Sequence, residues 1–278
     1  MSRTVADLTE LAARWNAALE RELPAAAQLR RELHAQPRVA GDEHATTARI
    51  THALSDLIDF EPIADSGAVG RFGPADGPSI ALRAELDALP VTELTGAPFA
   101  ATNGAMHACG HDVHQAALVA LVRAAQGLEL PLGIVTLLQP REESYPSGAL
   151  DVVRAGVLER FGIAHVIGAH VHPGVRVGAV ASGGGFINAA ADEIEVRVEG
   201  RGGHAAYPHE ASDTIAALAH IAIAIPEVIR RTISPLRPAI ISIGTLTAGE
   251  GAANVLPAHA RLFATMRTTD PADRDPLF

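Results

Sequence analysis

The sequence contains no lysine; its 22 basic residues are all arginine. That excludes every mechanism needing a Schiff-base amine, a catalytic ammonium or the lysine of a phosphate-binding loop. Only one cysteine, Cys109, is present, so no disulfide can form within the chain. Aromatic residues make up 4%, too few to point to an acyl-binding pocket. Long apolar runs are missing as well. The most apolar stretch, residues 215–225, is interrupted by His220 and closed by Pro226, well short of the ~20 residues that span a bilayer. Excess positive charge is also lacking: 22 basic against 32 acidic residues leave a formal charge of -10. Such a balance opposes nucleic acid or an anionic membrane as the main partner and favours a small soluble ligand. Acids occupy the first ten residues where a signal peptide needs a basic start and an apolar run, so a cytoplasmic location is expected.

What is present is a chain of 278 residues, 48% hydrophobic, enough for about two domains at roughly 150 residues each. From residue 4 to 35, Val5, Leu8, Leu11, Trp15 and Leu19 recur at helical spacing; Pro24 breaks the pattern, which predicts two helices. Ile50, Leu54, Leu57 and Ile58 mark a third. Short apolar runs at 80–82, 133–138 and 166–169 then alternate with helical patterns at 112–128 and 148–160. Continuous apolar strands between helices predict an α/β fold, with a mostly parallel sheet covered on both faces and function at the strand ends. After the glycine run at 183–185 the grammar changes. Ile194, Val196 and Val198 alternate with Glu193, Glu195, Arg197 and Glu199, the pattern of a one-sided sheet. A helix at 212–233, bent at Pro226, and strands near 240–246 and 260–266 would begin a split βαβ unit. The boundary is placed near residue 187, giving domains 1–187 and 188–278.

The densest polar cluster is Met106-His107-Ala108-Cys109-Gly110-His111-Asp112-Val113-His114, where a loop enters a helix. One soft sulfur and up to three imidazoles suit a zinc-type cation, and the helix N-terminus favours the thiolate. An inert cysteine with solvated histidines is the plainer reading of the same residues. No second cysteine exists to close a zinc finger. Glu142 and Glu143 follow the apolar run 133–138; adjacent carboxylates there need a cation or a shared proton, or else form a solvated turn. His170 and His172 follow a third run, and Asp87 a fourth. Donors at the ends of separate strands argue jointly for a metal site, with Asp87 able to orient a ligand. His204 and His209 sit on a glycine-rich turn, residues 200–209, that lacks a dinucleotide fingerprint.

These residues resemble the M20 metallopeptidase superfamily, in particular its amidohydrolase branch of N-acyl-amino-acid, hippurate and indole-acetyl-amino-acid hydrolases. Matching strings run at 31–37, 83–90, 106–114, 139–143, 168–173, 200–209, 254–257 and 266–268. The most specific is His-Ala-Cys-Gly-His-Asp followed later by the strand end Pro-x-Glu-Glu. The resemblance implies a zinc-aminopeptidase-like catalytic domain and an inserted α+β lid and dimerisation domain. It implies two divalent metal ions (Zn, Mn, Co or Ni), no organic cofactor, and Cys109, His111, Glu143 and His170 as ligands. Glu142 would be general base and acid, Asp87 a residue beside the metals, and His204 an oxyanion stabiliser reaching a partner subunit in a homodimer. Asn254 and Arg267 would hold the carboxylate of an N-acyl amino acid.

Family members also continue with a lid helix and strand and return to the first domain with a last ligand histidine; this sequence stops at Phe278, at what resembles the entrance to that helix. A shortened, non-catalytic relative that binds metal or ligand is therefore a second expectation. A thiol hydrolase using Cys109 is a third.

Overall fold

A computed structural model describes residues 5–277; Thr4, at the start of the expected first helix, and Phe278 lie outside the described residues. The chain divides into two compact units between Ala179 and Val180, ahead of the boundary expected near residue 187.

In the first unit, one helix, α1 (Val5–Ala35), replaces the two expected. Pro24 lies inside it and removes a helical hydrogen bond, a cost of about 3 kcal/mol in a helix interior. On either side of the proline, however, Leu33 is buried in the core, a full burial that contributes about 1.5–3 kcal/mol, and Trp15 and Leu29 pack partly buried against it. Trp15 Nε1–H also donates to the Leu121 carbonyl oxygen at 2.9 Å. Packing on both flanks outweighs the local rule. Helix α2 (His44–Ala53) begins and ends earlier than expected: Leu54 and Ile58 are buried but sit in the turn that follows.

Strands β1 (Glu61–Ile63), β2 (Gly67–Phe72) and β3 (Ser79–Glu85), helix α3 (His111–Ala124) and β4 (Gly133–Gln139) come next. The expected single helix at 148–160 is two, α4 (Gly148–Arg154) and α5 (Val157–Arg160), separated by Gly156 in a left-handed conformation. Strand β5 (Ile163–Ile167) completes the unit. The sheet order is β1-β2-β4-β3-β5. The three apolar strands β3, β4 and β5 are parallel, as their alternation with helices requires, whereas β2 pairs antiparallel with β4 and β1 antiparallel with β2. Only β4 is buried along its whole length. In contrast to the expected covered strand, Val166 and Ile167 of β5 are 48% and 50% exposed. Register pairs Glu85 with Gln139, so β3 and β4 end together, and parallel β5 delivers its following loop to the same sheet end.

The second unit contains β6 (Ala190–Glu199), β7 (Gly203–His204), α6 (Thr214–Thr232), β8 (Ala239–Ala248), β9 (Val255–Leu256), β10 (His259–Thr268) and α7 (Pro271–Arg274). Its main sheet is β6-β10-β8, antiparallel throughout, with β10 between the two strands that α6 connects: the split βαβ arrangement. Leu218 of α6 packs on Ala260, Leu262 and Ala264, with Ile194, Val196 and Val198 around them, while Glu193, Glu195, Arg197 and Glu199 face away. Asp213 caps α6 through the Ala216 N–H at 2.8 Å. Pro226 again lies within the helix.

Candidate metal centre

Three loops leave the ends of β3, β4 and β5, and a fourth segment enters α3; together they carry the polar residues of the first unit. Gly110, the residue before α3, has φ +87. A Cβ there would stand 2.3 Å from Val171 Cγ2, so both backbone and packing require glycine. This close approach lets Cys109 and His170 meet, with Sγ 3.3 Å from Nε2 across 61 residues of chain. His170 Nδ1–H donates to the Val171 carbonyl oxygen at 2.6 Å, which leaves the Nε2 lone pair facing the sulfur.

His111 is fully buried. Its Nδ1–H donates to the Asp87 carbonyl oxygen at 2.7 Å, leaving Nε2 as an acceptor. That atom has no hydrogen-bond partner and stands 3.7 Å from Glu142 Oε2 and 3.9 Å from Glu143 Oε1. Glu143 Oε1 and Asp87 Oδ1 are likewise buried and without a partner. Burial of acceptors facing one another with no donor is costly unless a cation serves them. Candidate ligand atoms gather within 4.8 Å in three groups that share His111: Cys109, His111 and His170; His111, Glu142 and Glu143; and Glu85, His111 and His114, in which Glu85 and His114 are hydrogen-bonded to each other. One sulfur, two imidazole nitrogens and carboxylate oxygens form a zinc-type donor set. Bonds of about 2.3 Å to sulfur and about 2.0 Å to nitrogen at a tetrahedral angle separate the two donors by roughly 3.5 Å, close to the Cys109–His170 distance. The residues present therefore fit a metal.

Electrostatics agree. Burial pushes Asp87 up, against the N–H groups of Glu143 and Glu142 that point at it; the Glu143 N–H donates to Asp87 Oδ2 at 2.8 Å. Burial and then the Glu143 charge push Glu142 up. Cys109 is pushed up to about 12 by burial and then by Glu143, Glu142 and Glu85. The expected thiolate preference at the helix start is thus outweighed by surrounding carboxylates, and a divalent cation is what reverses it.

Of the other histidines in the cluster, His107 belongs to none of the candidate groups: it is buried beside His34 with neither ring nitrogen hydrogen-bonded, and burial chiefly holds its ring down to about 4. His114 Nδ1–H donates to Glu85 Oε2 at 2.9 Å, and its Nε2 accepts the Val171 N–H at 3.0 Å. Burial alone would raise Glu85, but the His114 hydrogen bond and the Arg83 charge bring it to about 2. Sequence reading gave Glu85 no role, although His111 and His114 one helical turn apart hinted that α3 turns both toward β3. His34 supplies another support: Nδ1 lies 2.9 Å from Asp112 Oδ2 and Nε2 3.1 Å from Glu93 Oε1, while Arg30 Nε–H donates to the same Asp112 oxygen at 2.7 Å. This pins the first turn of α3 beside Cys109 and His111.

His204, Asn254 and Arg267 belong to the second unit. The Ala205 N–H donates to the Asn254 carbonyl oxygen at 2.9 Å, which places His204 and Asn254 together across β7 and β9. Arg267 lies on the open face of β10.

Donors gathered at the parallel strand ends define an α/β fold that carries a candidate metal centre. The chain belongs to peptidase family M20/M25/M40, whose model matches residues 81–252. It is 39% identical over 254 residues to the N-acetyl-L-cysteine deacetylase of Bacillus subtilis, an alignment covering 89% of this chain and 60% of that protein. With the N-acetyldiaminopimelate deacetylase of Exiguobacterium sibiricum it shares 35% identity over 257 residues, 91% of this chain and 69% of the relative. The Bacillus subtilis YXEP protein, a dinuclear metal binding peptidase of the M20 family, superposes with a TM-score of 0.69 at 31% identity, covering 94% of this chain and 67% of that one. A second Bacillus subtilis protein, an N-acetylcysteine deacetylase, is matched over 64% of its length, so the chain spans less than two thirds of both Bacillus subtilis deacetylases. Among the described residues, no helix is long and apolar enough to cross a membrane.

Proposed function

We propose that this chain carries the metal centre of an amidohydrolase that releases an amino acid from an N-acyl or aryl-acyl conjugate. The observation that carries the reading is the set of partnerless buried acceptors, His111 Nε2, Glu143 Oε1 and Asp87 Oδ1, beside Cys109 and His170. Cys109, His111, Glu143 and His170 would hold two divalent ions, Zn, Mn, Co or Ni. Such ions would supply Lewis-acid polarisation of an amide carbonyl and would lower the pKa of a water. Glu142, raised by burial yet partly exposed, would take a proton from the attacking water and return it to the departing nitrogen. An amide needs both steps because its carbonyl is a poor electrophile and its amine a poor leaving group. Asp87 orients His111 through its carbonyl oxygen. His204, Asn254 and Arg267 take the family's roles toward the oxyanion and the substrate carboxylate; the guanidinium fork suits a carboxylate.

The deacetylase relatives support an N-acyl amino acid as substrate. The second unit, with Ile215, Ile223 and Val228 exposed on α6, is assigned to pairing of two copies; sedimentation showing only monomer at micromolar concentration would remove that assignment. A cysteine nucleophile is disfavoured, because a thiol pushed up to about 12 is not a thiolate at neutral pH.

The test is hydrolysis of N-acetyl amino acids before and after chelation, with metal added back. Chelator should abolish turnover and metal restore it, whereas Glu142→Gln should keep metal and lose turnover. A fully active Glu142→Gln variant would remove the assigned base. Firm metal binding without turnover would favour the non-catalytic reading.

A further inference from the structure

Glu43 lies immediately before α2, far in sequence from every candidate ligand, and is completely buried. Its carboxylate receives three donors. The Arg141 backbone N–H donates to Oε1 at 2.8 Å; the Ser66 hydroxyl and the Gly41 N–H donate to Oε2 at 2.6 and 2.9 Å. Arg141 is the residue directly before Glu142, and its φ of +47 is a left-handed conformation that a side-chain-bearing residue holds only where its surroundings impose it. Those surroundings are fixed on every side. Arg141 Nη1–H donates to the Ala64 carbonyl oxygen at 3.1 Å and Nη2–H to Asp151 Oδ2 at 2.6 Å, while its own carbonyl oxygen accepts the Gly148 N–H at 3.1 Å. Gly148 approaches so closely that a Cβ there would stand 2.0 Å from the Pro140 carbonyl oxygen.

Two buried carboxylates therefore grip the chain around one side chain: Glu43 holds the N–H of Arg141, and Asp87 holds the N–H of Glu143, with the Glu142 N–H also pointing at it. Glu142 is held between them. We propose that Glu43 is a positioning residue, fixing the direction in which the chain leaves β4 and so the place of the Glu142 carboxylate; its catalytic consequence rests on the metal-hydrolase reading above. Glu143 retains its own grip on Asp87, so loss of Glu43 separates proton transfer from metal holding. A misplacement of a reacting group by about 1 Å costs on the order of a hundredfold in rate.

The experiment compares the full chain with Glu43→Gln and Ser66→Ala in three measurements: amide exchange across residues 140–144, bound zinc, and kcat and KM on N-acetyl-L-leucine. In Glu43→Gln, whose amide oxygen still accepts but carries no charge, the Arg141 amide should exchange about tenfold faster or more, the loss of charge assistance to that hydrogen bond. Zinc content and KM should be unchanged and kcat should fall about a hundredfold. Ser66→Ala, which leaves the Arg141 contact, should match the parent in exchange at Arg141 and in kcat. Should Glu43→Gln not fold, Glu43→Asp keeps the buried charge but draws it back by one methylene from Arg141, and the same pattern is expected. An Arg141 amide as protected in the variant as in the parent overturns the proposal. So does a fall in kcat matched by loss of zinc. Absence of turnover in the parent would instead overturn the hydrolase reading, and the exchange at Arg141 would still decide whether Glu43 grips the loop.

Discussion

The Val171 N–H donates to His114 Nε2 at 3.0 Å, and the opposite nitrogen of the same ring donates to Glu85 Oε2 at 2.9 Å. One imidazole thus ties the loop that carries His170 to α3 and β3 at once. Because Nε2 accepts, the proton must sit on Nδ1, and Glu85 fixes that tautomer.

His114→Ala should therefore free the His170 loop without removing a ligand. Partners that orient a ligand are worth roughly 10–100-fold in metal affinity when removed. Competition against a chromophoric chelator measures the change. Affinity equal to that of the parent would show that the loop holds itself.

Gly110→Ala should be damaging twice over. A left-handed residue with a Cβ costs about 1–2 kcal/mol, and the methyl would also meet Val171 Cγ2 at 2.3 Å. Adding Val171→Ala should recover the steric share in a denaturant titration but not the backbone share. Complete recovery by the double variant would mean that φ +87 carries no cost there.

Acid stability should depend on Glu93. Its carboxyl is held at about 2, below the ordinary 4.5, by the Thr95 hydroxyl and then, against burial, by the Ala101 N–H and His34. A depressed folded value contributes stability that is present above about 4.5 and lost as pH falls toward about 2. Glu93→Gln should lower Tm at neutral pH by roughly 2–4 °C for a chain of this size and flatten the decline between those pH values. An unchanged profile would contradict the role given to the Glu93–His34 contact.

The parallel strands and the convergence of their loops were legible because 80–82 and 133–138 are short, mostly apolar runs with Asp87, Glu142 and Glu143 a few residues beyond their ends. Cys109 and His111 were legible because donors crowd one short string. The antiparallel strands β1 and β2 were not: Pro62, Gly67 and Gly70 are poor strand formers, and the pairing of β2 with β4 and of β1 with β2 decides their conformation. Pro24 misled for the reverse reason, since a sound local rule was outweighed by packing on both sides. Glu43 left no trace, and Glu85 stood only as an unassigned member of the string 83–90. What they grip is a main-chain N–H or a single distant ring, and neither has a sequence signature.

The central claim, that Cys109, His111, Glu143 and His170 hold metal at the strand ends, is tested most directly by zinc retained per chain after exhaustive dialysis. Parent and Glu142→Gln should retain the same amount, and His111→Ala, which removes the one residue shared by all three candidate groups, should lose most of it. Zinc retention by His111→Ala equal to that of the parent would contradict the account.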